Sequence, residues 1–192
     1  QTKNTKAFII FSAGFSEQDA TGKALEHEIV ALIDQVGGTL LGPNNIGMFN
    51  THFAGVFTTP IPSLDAQGVD FISGSGATAV FIMEAAMGKG LTFNSVYSVG
   101  NSAQIGVEDI LQHLDETYVH GSSAPIKLLY IESIQQPQKL FKHARSLREK
   151  GAKIAAIKAG SSEAGSRAAS SHTGAIANAD TAVDALFQKA GI

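Results

Sequence analysis

Val69-Asp70-Phe71-Ile72-Ser73-Gly74-Ser75-Gly76-Ala77 is the stretch whose reading decides the fold. An apolar run of strand length enters a turn of alternating serine and glycine, and a helix follows over about residues 76–87. A strand that feeds a helix through so short a turn is half of a βαβ unit, the unit that builds parallel sheets. Downstream the pattern repeats, with strands at 95–99, 126–131 and 153–157 and helices at about 107–114 and 137–150. Residues 158–175 are rich in Gly, Ser and Ala, too polar and flexible for a regular element, and a closing helix is expected over 180–189.

Upstream, Ala7-Phe8-Ile9-Ile10-Phe11 is a continuous apolar run, as expected of a strand buried on both faces. Leu25, Ile29, Leu32, Ile33 and Val36 recur at helical spacing over 22–36, and Gly37-Gly38 stops that helix. Thr39-Leu40-Leu41 is a short strand ending in the turn Gly42-Pro43-Asn44-Asn45. Residues 46–65 carry Pro60 and Pro62 and show no period, so they read as a linker. The fold class is therefore α/β, parallel sheets with helices on both faces. Two strands before the linker cannot bury both of their apolar faces. Either those strands join a neighbour's sheet or the sequence is a piece of a longer chain, and Gln1 in place of an initiator methionine favours the second.

Composition narrows the function. Of 192 residues, 44% are hydrophobic and only 16% charged, against a usual ~25%, so much of the surface is expected to be covered. The net charge of −3 leaves no basic footprint for nucleic acid. The absence of cysteine excludes disulfides and thiolate metal sites and fits a reducing compartment. No apolar run approaches the ~18 residues that span a bilayer, and no signal-peptide pattern opens the chain. A cytoplasmic protein is the expectation.

Three groups of residues invite chemistry. Ser73-Gly74-Ser75-Gly76-Ala77 places backbone N–H groups, a helix dipole and two serine hydroxyls where an anion could sit, as an alternative to an ordinary tight turn. Gly74, Gly76 and Ala79 also fit the loose dinucleotide spacing, but the next strand ends Ser98-Val99-Gly100-Asn101, without the acid that would hold a ribose. Ser73 and Ala77 occupy the glycine positions of a nucleophile elbow, and Gly22-Lys23 and Gly88-Lys89 lack the rest of a Walker A motif. His172, in Ser170-Ser171-His172-Thr173-Gly174, is either a surface-loop histidine or an accessible functional one. His27, His52, His113, His120 and His143 show no metal spacing and read as solvated. Glu132 ends an apolar strand, where it either turns to solvent or serves a ligand. Ser73, Asn101, Glu132 and the 158–175 segment all fall at carboxyl ends of strands, hence on one sheet edge.

Together the segments Ser12-Ala13-Gly14-Phe15-Ser16-Glu17, Gly42-Pro43-Asn44-Asn45-Ile46-Gly47, Ser73-Gly74-Ser75-Gly76, Ser98-Val99-Gly100-Asn101, Tyr130-Ile131-Glu132 and Ser171-His172-Thr173-Gly174-Ala175 occur in an order and spacing that resembles the α part of the nucleoside-diphosphate-forming acyl-CoA synthetases. That superfamily includes ADP-forming acetyl-CoA synthetase and succinyl-CoA synthetase, and the wording around Lys158-Ala159-Gly160 resembles the former more closely.

The resemblance implies a layout and a reaction. Residues 1–62 would be the C-terminal part of a Rossmann-like CoA-binding domain, and 66–192 a flavodoxin-like ligase domain with the phosphohistidine loop. His172 would carry the phosphoryl group and Glu132 would hold its imidazole. Ser73, Gly74, Ser75, Gly76 and Ala77 would bind the phosphate. Ser12, Gly14, Gly42, Pro43, Asn44, Asn45, Gly100 and Asn101 would contact CoA or substrate. CoA, phosphate and ATP/ADP with Mg2+ are the implied ligands, the nucleotide bound by a separate ATP-grasp β subunit or fused domain, in an oligomer. A non-catalytic CoA-binding regulatory module, as in an acyltransferase fusion, is the alternative. Three positions depart from the family: Asn45 stands where cysteine is common, Gly74 where a larger polar residue is usual, and Gln104 where aspartate is common.

Overall fold

The computed structural model describes residues 4–159 and 187. Its elements follow in the order β1 (Ala7–Ile9), α1 (Ala20–Gln35), β2 (Thr39–Leu41), β3 (Gly47–Asn50), β4 (Ala54–Val56), β5 (Leu64–Ser73), α2 (Gly76–Met87), β6 (Phe93–Ser98), α3 (Val107–Glu116), β7 (Ile126–Ile131), α4 (Pro137–Glu149) and β8 (Lys153–Lys158). The strands form a two-stranded parallel sheet, β1-β2, and a six-stranded sheet ordered β4-β3-β6-β5-β7-β8.

The last four strands pair in parallel in the order β6-β5-β7-β8. Counted from β5 this is 2-1-3-4, the flavodoxin-like winding. Chain connections leave β5 and β6 toward opposite sides of the sheet, so helices cover both faces. Phe71 of β5, Val96 of β6 and Phe93 pack with Ala79, Met83 and Ala86 of α2 on one face. Ile72, Tyr97, Leu129 and Ile131 pack on the other with α3 (Ile110, Leu111, Leu114) and α4 (Leu140, Ala144, Leu147). Alternate residues of one strand thus enter different cores, which is why these strands read as continuous apolar runs.

Residues 46–65 are not a linker. Residues 47–56 form a hairpin, β3-β4, whose first strand pairs antiparallel with β6 through Met48↔Tyr97, Phe49↔Val96 and Asn50↔Ser95. Strands of four and three residues are too short to display a period. The turn was encoded, however, in Asn50, whose Oδ1 accepts from the N–H groups of His52 and Phe53. The six-stranded sheet is therefore mixed, parallel in its four later strands and antiparallel at this edge. The small sheet joins the same interior, since Leu41 of β2 packs in the core beneath α3 and α4.

His143 corrects a second expectation. It is buried between α3 and α4, with Nδ1 2.8 Å from the Asp115 carboxylate, which also accepts from Lys150 Nζ at 2.8 Å. Burial alone raises the pKa of Asp115, but hydrogen bonds from Lys150, His143 and Ser146 outweigh it and hold the carboxyl below its ordinary value.

A buried polar row crosses the centre of the sheet. Asp70, Lys127 and Ser95 lie side by side on β5, β7 and β6, each 1% exposed. Asp70 accepts from Lys127 Nζ at 2.5 Å, from Ser95 Oγ at 2.5 Å and from Asn94 Nδ2 at 2.7 Å. Lys127 also donates to the Ala124 carbonyl and lies 5.2 Å from the Tyr118 ring centroid. Lys127→Met leaves Asp70 charged and unpaired in a dry interior, and it is expected to lower unfolding free energy by about 3–5 kcal/mol in a denaturant titration. Adding Asp70→Leu should recover most of that loss.

Candidate functional site

The winding order fixes where a site can form. Connections from β5 and β7 diverge at the carboxyl ends of these adjacent strands, leaving a crevice there. A cleft of about 630 Å³ lies at this point, walled by Gly74, Ser75, Gly76, Ala77, Asn44, Asn45, Gly100, Asn101 and Glu132, among others. Nine of the expected site residues line it, from four separate segments. His172 lies outside the described residues.

The α2 side is built by the Ser73–Gly76 turn. Ser75 is the N-cap of α2, its Oγ accepting from Thr78 N–H at 3.2 Å. Ser73 is fully buried, with its hydroxyl donating to the Ser75 carbonyl at 2.7 Å and accepting from Ser75 N–H at 3.2 Å. The Ser73 hydroxyl is therefore spent within the turn, which corrects the expectation for that residue, while Ser75 lines the cleft. The N–H groups of Gly76 and Ala77, in the first helical turn, have no intrahelical acceptor and belong to the wall of the cleft. Gly74 lies directly beside Glu132, since a Cβ on it would meet Glu132 Cγ at 3.4 Å. A larger residue there would crowd the half-buried Glu132 side chain.

The second wall comes from two loops that cross. The Asn101 N–H donates to the Pro43 carbonyl at 3.0 Å, and the Ala103 N–H to the Gly42 carbonyl at 3.2 Å. The approach is so close that a Cβ on Gly100, whose φ is +59°, would stand 2.1 Å from the Pro43 oxygen. Only glycine fits. Asn44 Nδ2 donates to Asn101 Oδ1 at 3.1 Å. Asn45, 3% exposed, donates to the Ile10 carbonyl at 2.8 Å and accepts from Gly47 N–H at 2.6 Å, so it ties the end of β1 to β3. Ser12 and Gly14 act behind the wall. The Ser12 carbonyl accepts from Asn44 N–H at 2.9 Å, and Gly14 N–H donates to Glu17 at 2.5 Å. Gln104 is also fully used, accepting from Leu40 N–H and donating to Asp34, both at 2.5 Å.

Sequence reading missed a pair of carboxylates. Glu17 and the buried Glu26 both accept from the Asn101 amide nitrogen, at 2.5 and 3.0 Å, and Glu26 also accepts from Ser16 Oγ at 2.8 Å. An acid within the apolar stripe of α1 was the available signal for Glu26. Burial alone raises the Glu17 pKa, but hydrogen bonds from Asn101 and from the N–H groups of Gly14 and Phe15 outweigh it and hold the carboxyl below its ordinary value. Glu108, 1% exposed, was missed as well. Its Oε1 accepts from the N–H groups of Gln135 and Gln136 at 3.0 and 2.7 Å, and Gln135 donates to the Ser102 carbonyl at 2.9 Å. That network fixes the segment that follows Glu132. Among the described residues no group of three acids or histidines is placed to hold a metal ion, and no helix is long and apolar enough to cross a membrane.

A mostly parallel sheet wound 2-1-3-4, with a helix start and a carboxylate at its switch point, defines a flavodoxin-like domain. Residues 66–192 match the family described as the succinyl-CoA ligase like flavodoxin domain, and the chain belongs to that family. It is 36% identical over 190 residues to the α subunit of an ADP-forming acetate–CoA ligase II of Pyrococcus furiosus, covering 99% of this chain and 40% of that one. It is 33% identical to an ADP-forming acetate–CoA ligase I of Archaeoglobus fulgidus, covering 99% of this chain and 27% of that one. Among solved structures, the dinucleotide-forming acetyl-coenzyme A synthetase 1 of Ca. Korarchaeum cryptofilum, in complex with phosphate and ADP, superposes with a TM-score of 0.86 at 29% identity. That match covers 98% of this chain and 40% of the synthetase. The chain thus spans between about a quarter and two-fifths of the relatives' length.

The depressed Glu17 pKa sets a pH dependence. A carboxylate held below its unfolded pKa adds stability that is full above the unfolded value and is lost as pH falls through the folded one. Asn101→Ala removes one of the hydrogen bonds responsible. Its cost, read from denaturation midpoints, should be largest near pH 6–7 and should shrink as pH falls below ~4.

Proposed function

We propose that this chain supplies the phosphohistidine-carrying part of an NDP-forming acid–CoA ligase, interconverting acyl-CoA, phosphate and ADP with acid, CoA and ATP. The observation that carries the reading is the shared cleft. The first turn of α2, Glu132 and the Asn44–Asn101 wall, which come from separate segments, all face one space. The chain's match to α subunits and fused synthetases supports a partner domain that binds the nucleotide.

In the first step a phosphate oxygen attacks the thioester carbonyl, the C–S bond breaks, and acyl phosphate and the CoA thiol form. The N–H groups of Gly76 and Ala77 would hold the phosphoryl oxygens, aided by the positive end of the helix dipole. One imidazole nitrogen of His172 then attacks phosphorus, and the P–O bond to the carboxylate breaks. Glu132 would accept the other ring N–H, which fixes the nucleophilic tautomer and stabilises the cationic phosphohistidine. The phosphoryl group finally passes to the β-phosphate of ADP. Binding of that nucleotide and its Mg2+ would fall to a separate ATP-grasp subunit or fused domain, in keeping with the part of its relatives that the chain spans. Ser73 would act through the turn it shapes, and Ser12, Gly14, Gly42, Pro43 and Gly100 through the backbone of the CoA-facing wall.

The test is a phosphorylation assay on the full-length protein with acyl-CoA and labelled phosphate, or with labelled ATP. An acid-labile, base-stable label is expected in the wild type, abolished in His172→Ala and formed at least about 100-fold more slowly in Glu132→Gln. A folded protein that binds CoA and takes no label would overturn the reading in favour of a regulatory CoA-binding module.

A further inference from the structure

Glu132 leaves β7 at the head of a short segment that is held at both ends. Behind it, Ile131 is fully buried and its carbonyl accepts from Ala159 N–H at 2.8 Å. Ahead of it, Ile134 is buried in the core beneath α3 and α4. Gln135 and Gln136, which lead into α4, then donate both of their backbone N–H groups to one atom, Glu108 Oε1, at 3.0 and 2.7 Å. The Gln135 side chain lines the cleft and donates to the Ser102 carbonyl at 2.9 Å, next to Asn101. The exit from Glu132 is therefore tied both to α3 and to the opposite wall.

Two local features show that the sequence makes room for the Glu108 carboxylate. The N-cap of α4 is Gln136, whose side chain makes no capping bond. Glu108, in the first turn of α3, supplies an acceptor at that helix start instead, where the positive end of the helix dipole favours a carboxylate. The N-cap of α3 is Gly106, and its φ of −99° is open to every residue, so the backbone does not demand glycine. Space does. A Cβ on Gly106 would stand 2.8 Å from Glu108 Oε2, so a serine or aspartate cap would displace the carboxylate from α4. Asp109 takes over that task by accepting from Gly106 N–H at 2.7 Å, and its other oxygen pairs with Lys139 of α4. Both acids of the first turn of α3 thus fix the start of α4.

We propose that Glu108 is a positioning residue for Glu132, acting through residues 132–136 and touching no substrate itself. This rests on the acid–CoA ligase reading. A carboxylate fixes an imidazole tautomer only within hydrogen-bond reach of one ring N–H, and a misplacement of about 1 Å can cost about 100-fold in rate. The register of β7 sets where Glu132 begins, and Glu108 sets the path of the chain beyond it. Without that acceptor the N–H groups of Gln135 and Gln136 lose their common anchor, and the segment gains freedom to turn about Glu132.

The test is single-turnover phosphohistidine formation by the full-length protein with acetyl-CoA and labelled phosphate, beside calorimetric titration of CoA and thermal melting. Glu108→Ala is expected to slow labelling at least about tenfold, while CoA affinity changes by less than about threefold. Glu108→Gln keeps an oxygen acceptor and should retain at least about a third of the rate. In a Glu132→Gln background, Glu108→Ala should slow labelling by less than about twofold further, because the group it positions is already gone. Adding Gln136→Asp to Glu108→Ala gives α4 an N-cap of its own and should recover the melting temperature but not the rate. The proposal is overturned if Glu108→Ala labels at the wild-type rate, or if its full effect persists in Glu132→Gln. It is overturned too if Gln136→Asp restores rate and stability together. Each of these outcomes in a protein whose wild type takes label removes this inference alone, whereas no label in the wild type removes the ligase reading with it.

Discussion

β5 is held from both sides. It pairs in parallel with β6 and β7, and Asp70 at its middle draws Ser95, Asn94 and Lys127 into one dry network. A charge in that position is tolerable only when its partners sit in register, because an unpaired carboxylate there would be far costlier than any one lost apolar contact. The network therefore penalises any slip of β5 against either neighbour. A one-residue slip would also exchange Phe71 and Ile72 between the two cores. With the register fixed, the ends of β5 and β7 stand level, and Ser73 lies opposite Tyr130. The ladder continues past them, since Gly74 N–H donates to the Tyr130 carbonyl at 2.9 Å. Glu132 and the start of α2 are neighbours for that reason.

The second constraint is steric. The turn after β2 and the turn after β6 cross at backbone distance, which Gly100 alone permits. That crossing joins the β1-β2 sheet to the larger one, and it carries the amides of Asn44 and Asn101 to the same crevice as α2. The carboxylates of Glu17 and Glu26 then clamp the Asn101 amide in one orientation. The cleft is thus made at a seam between two sheets rather than within either.

The three positions that the resemblance marks as departures take defined places in this setting. Asn45 uses both ends of its amide to bind β1 and β3 together, work that a thiol, a weak donor and acceptor, does poorly. Gln104 likewise needs both its oxygen and its nitrogen, one for Leu40 and one for Asp34, and an aspartate could serve only the first. Gly74 leaves space beside Glu132. None of the three removes a group from the cleft that the proposed chemistry uses.

The sequence by itself determined the βαβ succession, the helices on both faces, and the gathering of the Ser73–Ala77 turn, Asn101 and Glu132 at one edge. Those features follow from local periodicity and from the rule that parallel strands send all their carboxyl ends the same way. It did not determine the β3-β4 hairpin, whose strands are too short to carry a period and are specified by the free edge of β6. Nor did it place His143, which a helical position leaves free to face water until α3 packs against it and supplies Asp115. The burial of Ser73, the Glu17–Asn101–Glu26 cluster and the reach of Glu108 across to the start of α4 were equally invisible. Each depends on residues far apart in the chain meeting at a set distance, and only the closed packing of the two sheets sets that distance.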